Sequence, residues 1–135
     1  MNKNAVKTRV KACDADACAV RDTLLVIGGK WKSLIMLTVH NQGKIRFNQL
    51  KQSLPGISQK MLTQQLRELE RDGLITRLDY EEMPLRVEYS LTDLGRSAGS
   101  LYEAINDWQK KYLGTINESR KSYDVNTERR IPLGR

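Results

Sequence analysis

Cysteine, histidine and aromatic side chains are scarce in this chain of 135 residues, which holds 2 Cys, 1 His and 6% aromatics. Cys13 and Cys18 are too few for a disulfide framework, so a reducing cytoplasm is the expected compartment. His40 stands alone, and no Gly-rich phosphate loop or clustered set of acids accompanies it. A binding protein is therefore expected rather than an enzyme, with neither cofactor nor metal. A zinc site built from the two thiols with an Asp or His40 would lack a second ligand pair. No apolar run is long enough to span a bilayer, and no apolar segment follows the basic N-terminus as a secretory signal requires. Internal repeats and low-complexity tracts are missing as well. The length suits one compact core rather than two.

Positive charge is what the chain has in excess. Lys and Arg number 23 against 16 Asp and Glu, a net +7. Such a surface favours a polyanion or an anionic membrane over a cation or an acidic protein. Part of the excess is local, because Lys3, Lys7, Arg9 and Lys11 have no balancing acid nearby.

Residues 1–17 read as a flexible basic segment. A first helix opens near Asp16 and carries Val20, Leu24 and Ile27 on one face, until Gly28-Gly29 breaks it. A second helix over residues 31–40 is apolar on most sides and includes Trp31 as a core residue. Ile45 and Phe47 suggest a very short strand. Leu50 and Leu54 then mark a two-turn helix stopped by Pro55-Gly56. Ser58 is a good N-cap for the following helix, and Gly73 a good residue to end it. The period next changes to two. Residues 74–81 and 85–91 alternate on either side of "EEMP" and read as an antiparallel hairpin. Thr92 caps a last long helix, and residues 118–135 read as a polar tail.

The segment "ISQKMLTQQLRELERDGLI" carries the functional signal. At about 100° per residue, Leu62, Leu66 and Leu69 fall on one side of a helix, with Lys60, Gln64, Arg67 and Arg71 opposite and Thr63 at the edge. A polar outer face usually does nothing but stay in water, so this stripe alone is weak. Its setting changes the reading. Two short helices across a Pro-Gly turn, with a hairpin behind them, make a winged helix-turn-helix whose second helix enters a DNA groove. Gln and Thr can bond base edges there, while Lys and Arg can reach guanine or phosphate.

The blocks "CAVRDTLLVIGGKWKSLIM", "RFNQLKQSLPGISQKMLTQQLRELERDGLI" and "PLRVEYSLTDLG" resemble the HxlR family of bacterial transcription regulators, relatives of the MarR proteins. The resemblance covers most of the chain, from about Cys18 to Trp108. It implies a homodimeric repressor or activator of mainly α (α+β) fold: a winged helix-turn-helix domain over residues 18–117 with a small β-hairpin and a long C-terminal dimerisation helix. Ser58, Gln59, Lys60, Thr63, Gln64 and Arg67 are the positions expected to face double-stranded DNA. Lys30 or Lys32 could add phosphate contacts, and Arg86 could hold the backbone from the wing. Arg86 can equally be a solvated strand residue paired with Glu88 or Asp79. The chain departs from the family pattern at Ala19, Glu81 and Leu85, where relatives often carry proline, and Glu81-Glu82 would repel phosphate at the wing tip.

Leu94, Ala98, Leu101, Ile105, Trp108 and Tyr112 recur at steps of four and three, a heptad seam expected to join two copies. Two recognition helices would then sit about one DNA turn apart on a pseudo-palindromic operator. Cys18 lies near the start of the first helix beside Arg21, where helix dipole and cation both lower a thiol pKa; Asp14 and Asp16 oppose them. The plain alternative is a small buried apolar residue. Relatives that sense oxidants or electrophiles through a cysteine at this position imply a sensing role for Cys18, with Cys13 as an accessory thiol. The rival function is a winged-helix module that binds other proteins without specific DNA binding.

Overall fold

Three leucines one helical turn apart, Leu62, Leu66 and Leu69, are almost wholly buried, and the first unit of the chain is built around them. The computed structural model describes residues 15–130. In chain order the elements are α1 (Ala15–Ile27), α2 (Lys32–Gln42), β1 (Lys44–Arg46), α3 (Phe47–Ser53), α4 (Gln59–Arg71), β2 (Ile75–Asp79), β3 (Val87–Leu91), α5 (Asp93–Ser97) and α6 (Gly99–Arg130). A division between Ala98 and Gly99 makes α6 a unit of its own.

Helix α2 buries Ile35, Met36 and Val39, whereas Leu34 and Leu37 on its other side are exposed. Its apolar character all round, read from the sequence as full burial, thus serves the core on one side only. Trp31 is half-buried at the N-cap instead of central. Helix α3 contributes Leu50 to the core and closes through Leu54, whose amide donates to Lys51 O at 3.3 Å. Gly56 follows at φ 88°, a left-handed conformation that only glycine adopts without strain. Ile57 enters the core, and Ser58 Oγ accepts from Met61 N at 3.0 Å to start α4.

The end of α4 is a Schellman motif. Leu74 N donates to Leu69 O at 2.9 Å and Gly73 N to Glu70 O at 3.0 Å, with Gly73 at φ 78°. Leu69 and Leu74 are both buried at this closure.

The hairpin expected from the two-residue period is present, with Thr76 opposite Ser90 and Leu78 opposite Glu88. It gains a third antiparallel strand, because β1 pairs Ile45 with Tyr89, giving the order β1-β3-β2. Phe47 opens α3 instead of prolonging β1. Ile45, Ile75 and Tyr89 form the buried face of the sheet.

Two expectations about the C-terminal region need correction. Thr92 caps the short α5, accepting from Gly95 N at 3.0 Å, and the long helix begins afresh at Gly99. Residues 118–130, polar in composition, are helical, so α6 runs for 32 residues, about 48 Å at 1.5 Å per residue. At the other end α1 already includes residues 15–17, and residues 1–14 lie outside those described.

Gly95 lies against the chain where β3 hands over to α5. A Cβ there would fall 2.0 Å from Leu74 O, a backbone atom that cannot swing aside. Gly95→Ala is expected to cost roughly 1–3 kcal/mol, read as a lower urea midpoint with an unchanged m-value.

Candidate nucleic-acid interface

With Leu62, Leu66 and Leu69 turned inward, α4 presents its opposite side to solvent. Gln59, Lys60, Gln64 and Arg67 are exposed there and Thr63 is half-buried. They line a shallow trough of ≈ 760 Å³ together with Glu68 and Arg71. Ser58 spends its oxygen lone pair on the cap, which leaves its hydroxyl proton free to meet a phosphate. Thr63 Oγ1 donates to Gln59 O at 2.8 Å, so its methyl and remaining lone pair are what a base edge would meet. The structure therefore brings together six of the expected residues, Ser58 through Arg67, at one end and along one side of a single helix.

Glu68 was missed by reading the sequence. It puts a carboxylate among Lys60, Arg67 and Arg71, and one helical turn before it Gln64 Nε2 donates to its Oε1 at 3.4 Å. The compensating charge is Lys32 Nζ, 2.9 Å from Glu68 Oε2. Lys32 is only 12% exposed at its side chain and also donates to Leu25 O at 3.3 Å. A phosphate-binding role for Lys32 therefore gives way to an internal one: its ammonium is committed to α4 and to the end of α1. The readable signal was an acid four residues after Gln64 inside a basic stripe, which calls for a cation from elsewhere.

Lys30 is exposed, with its ammonium 4.7 Å from the centre of the Trp31 ring. Arg86 is not a free hand on the wing. Its guanidinium stacks 3.8 Å over the Tyr80 ring and lies 3.6 Å from Glu82 and 4.0 Å from Glu88, with its side chain 31% exposed. The 4.0 Å approach is an ion pair too long for a hydrogen bond, and the buried Nε atom makes none. The paired reading of Arg86 thus describes it better than the phosphate reading, with Glu82 and Glu88 as partners while Asp79 pairs with Arg77 at 3.8 Å. Tyr80 Oη donates to Glu88 at 2.9 Å, and this bond to a carboxylate pushes the phenol pKa up. The tip beyond carries exposed Glu81 and Glu82, with Glu81 at φ 51° and its amide held by Asp79 Oδ1 at 2.9 Å.

Cys18 lies in the first turn of α1, half-buried and disulfide-bonded. It is thus not a poised thiolate in this state, and Cys13 lies outside the described residues. Of the expected seam, Ala98 is 4% exposed and caps the C-terminus of α5, so it is core rather than interface. Leu94 on α5 is exposed, as are Leu101, Ile105, Trp108 and Tyr112 on α6. Trp108 and Tyr112 rings sit 5.4 Å apart on that helix. Among the described residues no group of His, Cys, Asp and Glu could hold a metal, and no helix is long and apolar enough to cross a membrane.

A capped two-turn helix, a Pro-Gly turn, a second helix with a polar outer face and a three-stranded wing define a winged helix-turn-helix protein of the MarR-like kind. Residues 26–117 match the HxlR-like helix-turn-helix model, and the chain belongs to that family of transcriptional regulators. It is 45% identical over 114 residues to YdeP, an uncharacterised HTH-type transcriptional regulator of Bacillus subtilis, covering 82% of this chain and 88% of that one. Among solved structures it is similar to the redox regulator HypR in its reduced form, at 41% identity and TM-score 0.69, over 74% of this chain and 98% of that one. The reduced transcriptional regulator YodB from B. subtilis matches at 29% identity and TM-score 0.63, over 68% and 90%.

Lys32 and Gln64 hold the Glu68 carboxyl below its ordinary pKa, outweighing a partial desolvation. A carboxylate whose pKa falls on folding stabilises above its unfolded-state pKa, and the contribution is lost as pH drops through the folded-state value. Because the Glu68 side chain is 41% exposed, screening limits its worth. Glu68→Gln should cost roughly 0.5 kcal/mol at neutral pH. In urea unfolding the gap from the parent protein is expected to shrink as the pH is lowered from 7 to 3.

Proposed function

We propose that the chain binds operator DNA in sequence-specific fashion, as a homodimer on a pseudo-palindromic site, with α4 in the major groove. The observation that carries this is the single exposed face holding Gln59, Lys60, Thr63, Gln64 and Arg67 above a wholly buried leucine stripe. These side chains can donate to guanine O6/N7, pair with adenine or neutralise phosphate, whereas a protein partner would be met by apolar anchors that this face lacks. Lys30 is the candidate for a flanking phosphate contact. The wing supplies little from its tip, where acids outnumber free cations.

Two exposed apolar faces support the dimer: Val20, Leu24 and Leu25 on α1, and Leu101, Ile105, Trp108 and Tyr112 on α6. Apolar side chains in such number are usually covered by a partner.

Oxidation of Cys18 is the proposed control, supported by its disulfide and by the similarity to HypR, which is named a redox regulator. Two thiols would lose two electrons and two protons to an oxidant such as a disulfide or diamide, with Cys13 the chain's other thiol.

Fluorescence anisotropy on duplexes selected from random DNA tests the first reading. Gln64→Ala and Arg67→Ala should each weaken the selected site by about 1–3 kcal/mol while circular dichroism and thermal midpoint stay put. Affinity should also fall steeply with salt, with a log–log slope of about −0.9 for each phosphate neutralised. Salt-independent binding would overturn the proposal. For the thiol, Cys18→Ser should keep basal binding and lose any response to diamide; an unchanged response in that variant removes Cys18 from the mechanism.

A further inference from the structure

The trough along the basic face of α4 is lined by one carboxylate, that of Glu68, and a residue from outside the helix-turn-helix answers it. We infer that Lys32 is a positioning residue for DNA recognition: it neutralises Glu68 and, through Glu68, sets which way the Gln64 amide faces the bases. This rests on the DNA-binding reading above and deepens it.

The geometry runs in one line. Helix α1 ends at Ile27, and in its last turn Leu25 O accepts from Lys32 Nζ at 3.3 Å. A helix C-terminus attracts a cation, so the ammonium is held there by charge as well as by the bond. The same Nζ lies 2.9 Å from Glu68 Oε2, and Glu68 Oε1 accepts from Gln64 Nε2 at 3.4 Å. A carboxylate can only accept, so the Gln64 nitrogen must turn toward Glu68, leaving its carbonyl oxygen and second N–H for a base edge. Without Lys32 the carboxylate would face incoming phosphates uncompensated by any group but Arg71, the other cation acting on it.

The test uses the full chain and the duplex that it selects. Lys32→Met, which keeps the apolar stem and removes the charge, should weaken binding roughly tenfold, the scale of one charge-assisted hydrogen bond. It should also blur preference at the base pair that Gln64→Ala affects. Lys32→Arg should retain affinity and preference. Adding Glu68→Gln to Lys32→Met should restore affinity, because the neutral amide still accepts from Gln64 and no longer repels phosphate. Restoration by removing the partner charge is a result that a merely structural lysine would not give. A Lys32→Met protein that binds with parental affinity and preference overturns the inference, as does a loss that Glu68→Gln fails to relieve. If the parent protein itself does not discriminate its selected duplex from a scrambled one, the DNA-binding reading falls first and takes this inference with it.

Discussion

Burial of one leucine stripe sets everything else on this molecule's working face. Leu62 and Leu69 have no exposed surface and Leu66 almost none. Each buried leucine contributes about 1.5–3 kcal/mol relative to exposure, and their spacing fixes the rotation of α4 about its own axis. That rotation, and not any contact with nucleic acid, decides that Lys60, Gln64 and Arg67 point outward. A register error of a single residue would turn the row by about 100° and carry the polar side chains toward the core. The caps hold the helix along its length as the stripe holds it in rotation: Ser58 at one end, Gly73 and Leu74 at the other.

Charge is organised against this apolar frame with little waste. On α4 the Glu68 carboxylate, which lies among the basic side chains and accepts from Gln64, is paired with Lys32 of α2. On the wing the opposite holds. Arg86 is absorbed by Tyr80, Glu82 and Glu88, and Arg77 pairs with Asp79. The positive net charge of the chain therefore does not mean that each cation is available. In the proposed DNA complex, recognition would be concentrated on one helix, with the wing more a brace for it than a second reader.

Much of this was legible in the sequence because the signals were local. The Ser58 cap, the Pro55-Gly56 turn, the Gly73 stop and the two-residue alternation over residues 74–91 each depend on neighbouring residues alone. What escaped depends on distant ones. Nothing near Ile45 announces that it pairs with Tyr89, more than forty residues on. Lys32 and Glu68 are likewise far apart in the chain, so a lysine that looked like a free phosphate contact was already taken. The heptad seam was misread at Ala98 for a related reason: spacing cannot show that one helix stops at Ser97 and another starts at Gly99. The polar stretch from residue 118 was misread because polar residues permit a helix as readily as a tail, and in α6 they form one.

The Thr92 hydroxyl has a wider reach than its size suggests. It donates to Gly73 O at 2.5 Å while accepting from Gly95 N, and Thr92 N reaches Leu74 O at 3.1 Å. The exit of α4, the last rung of the hairpin and the entry to α5 are thus riveted at one point. An inserted or deleted residue on either arm of the hairpin would have to break that rivet or reverse the sides of a strand. The exposed tip over residues 81–85 bears no such burden. Evolution is free to lengthen, shorten or recharge the tip, and natural variation in wing size should collect there while the base stays constant in length.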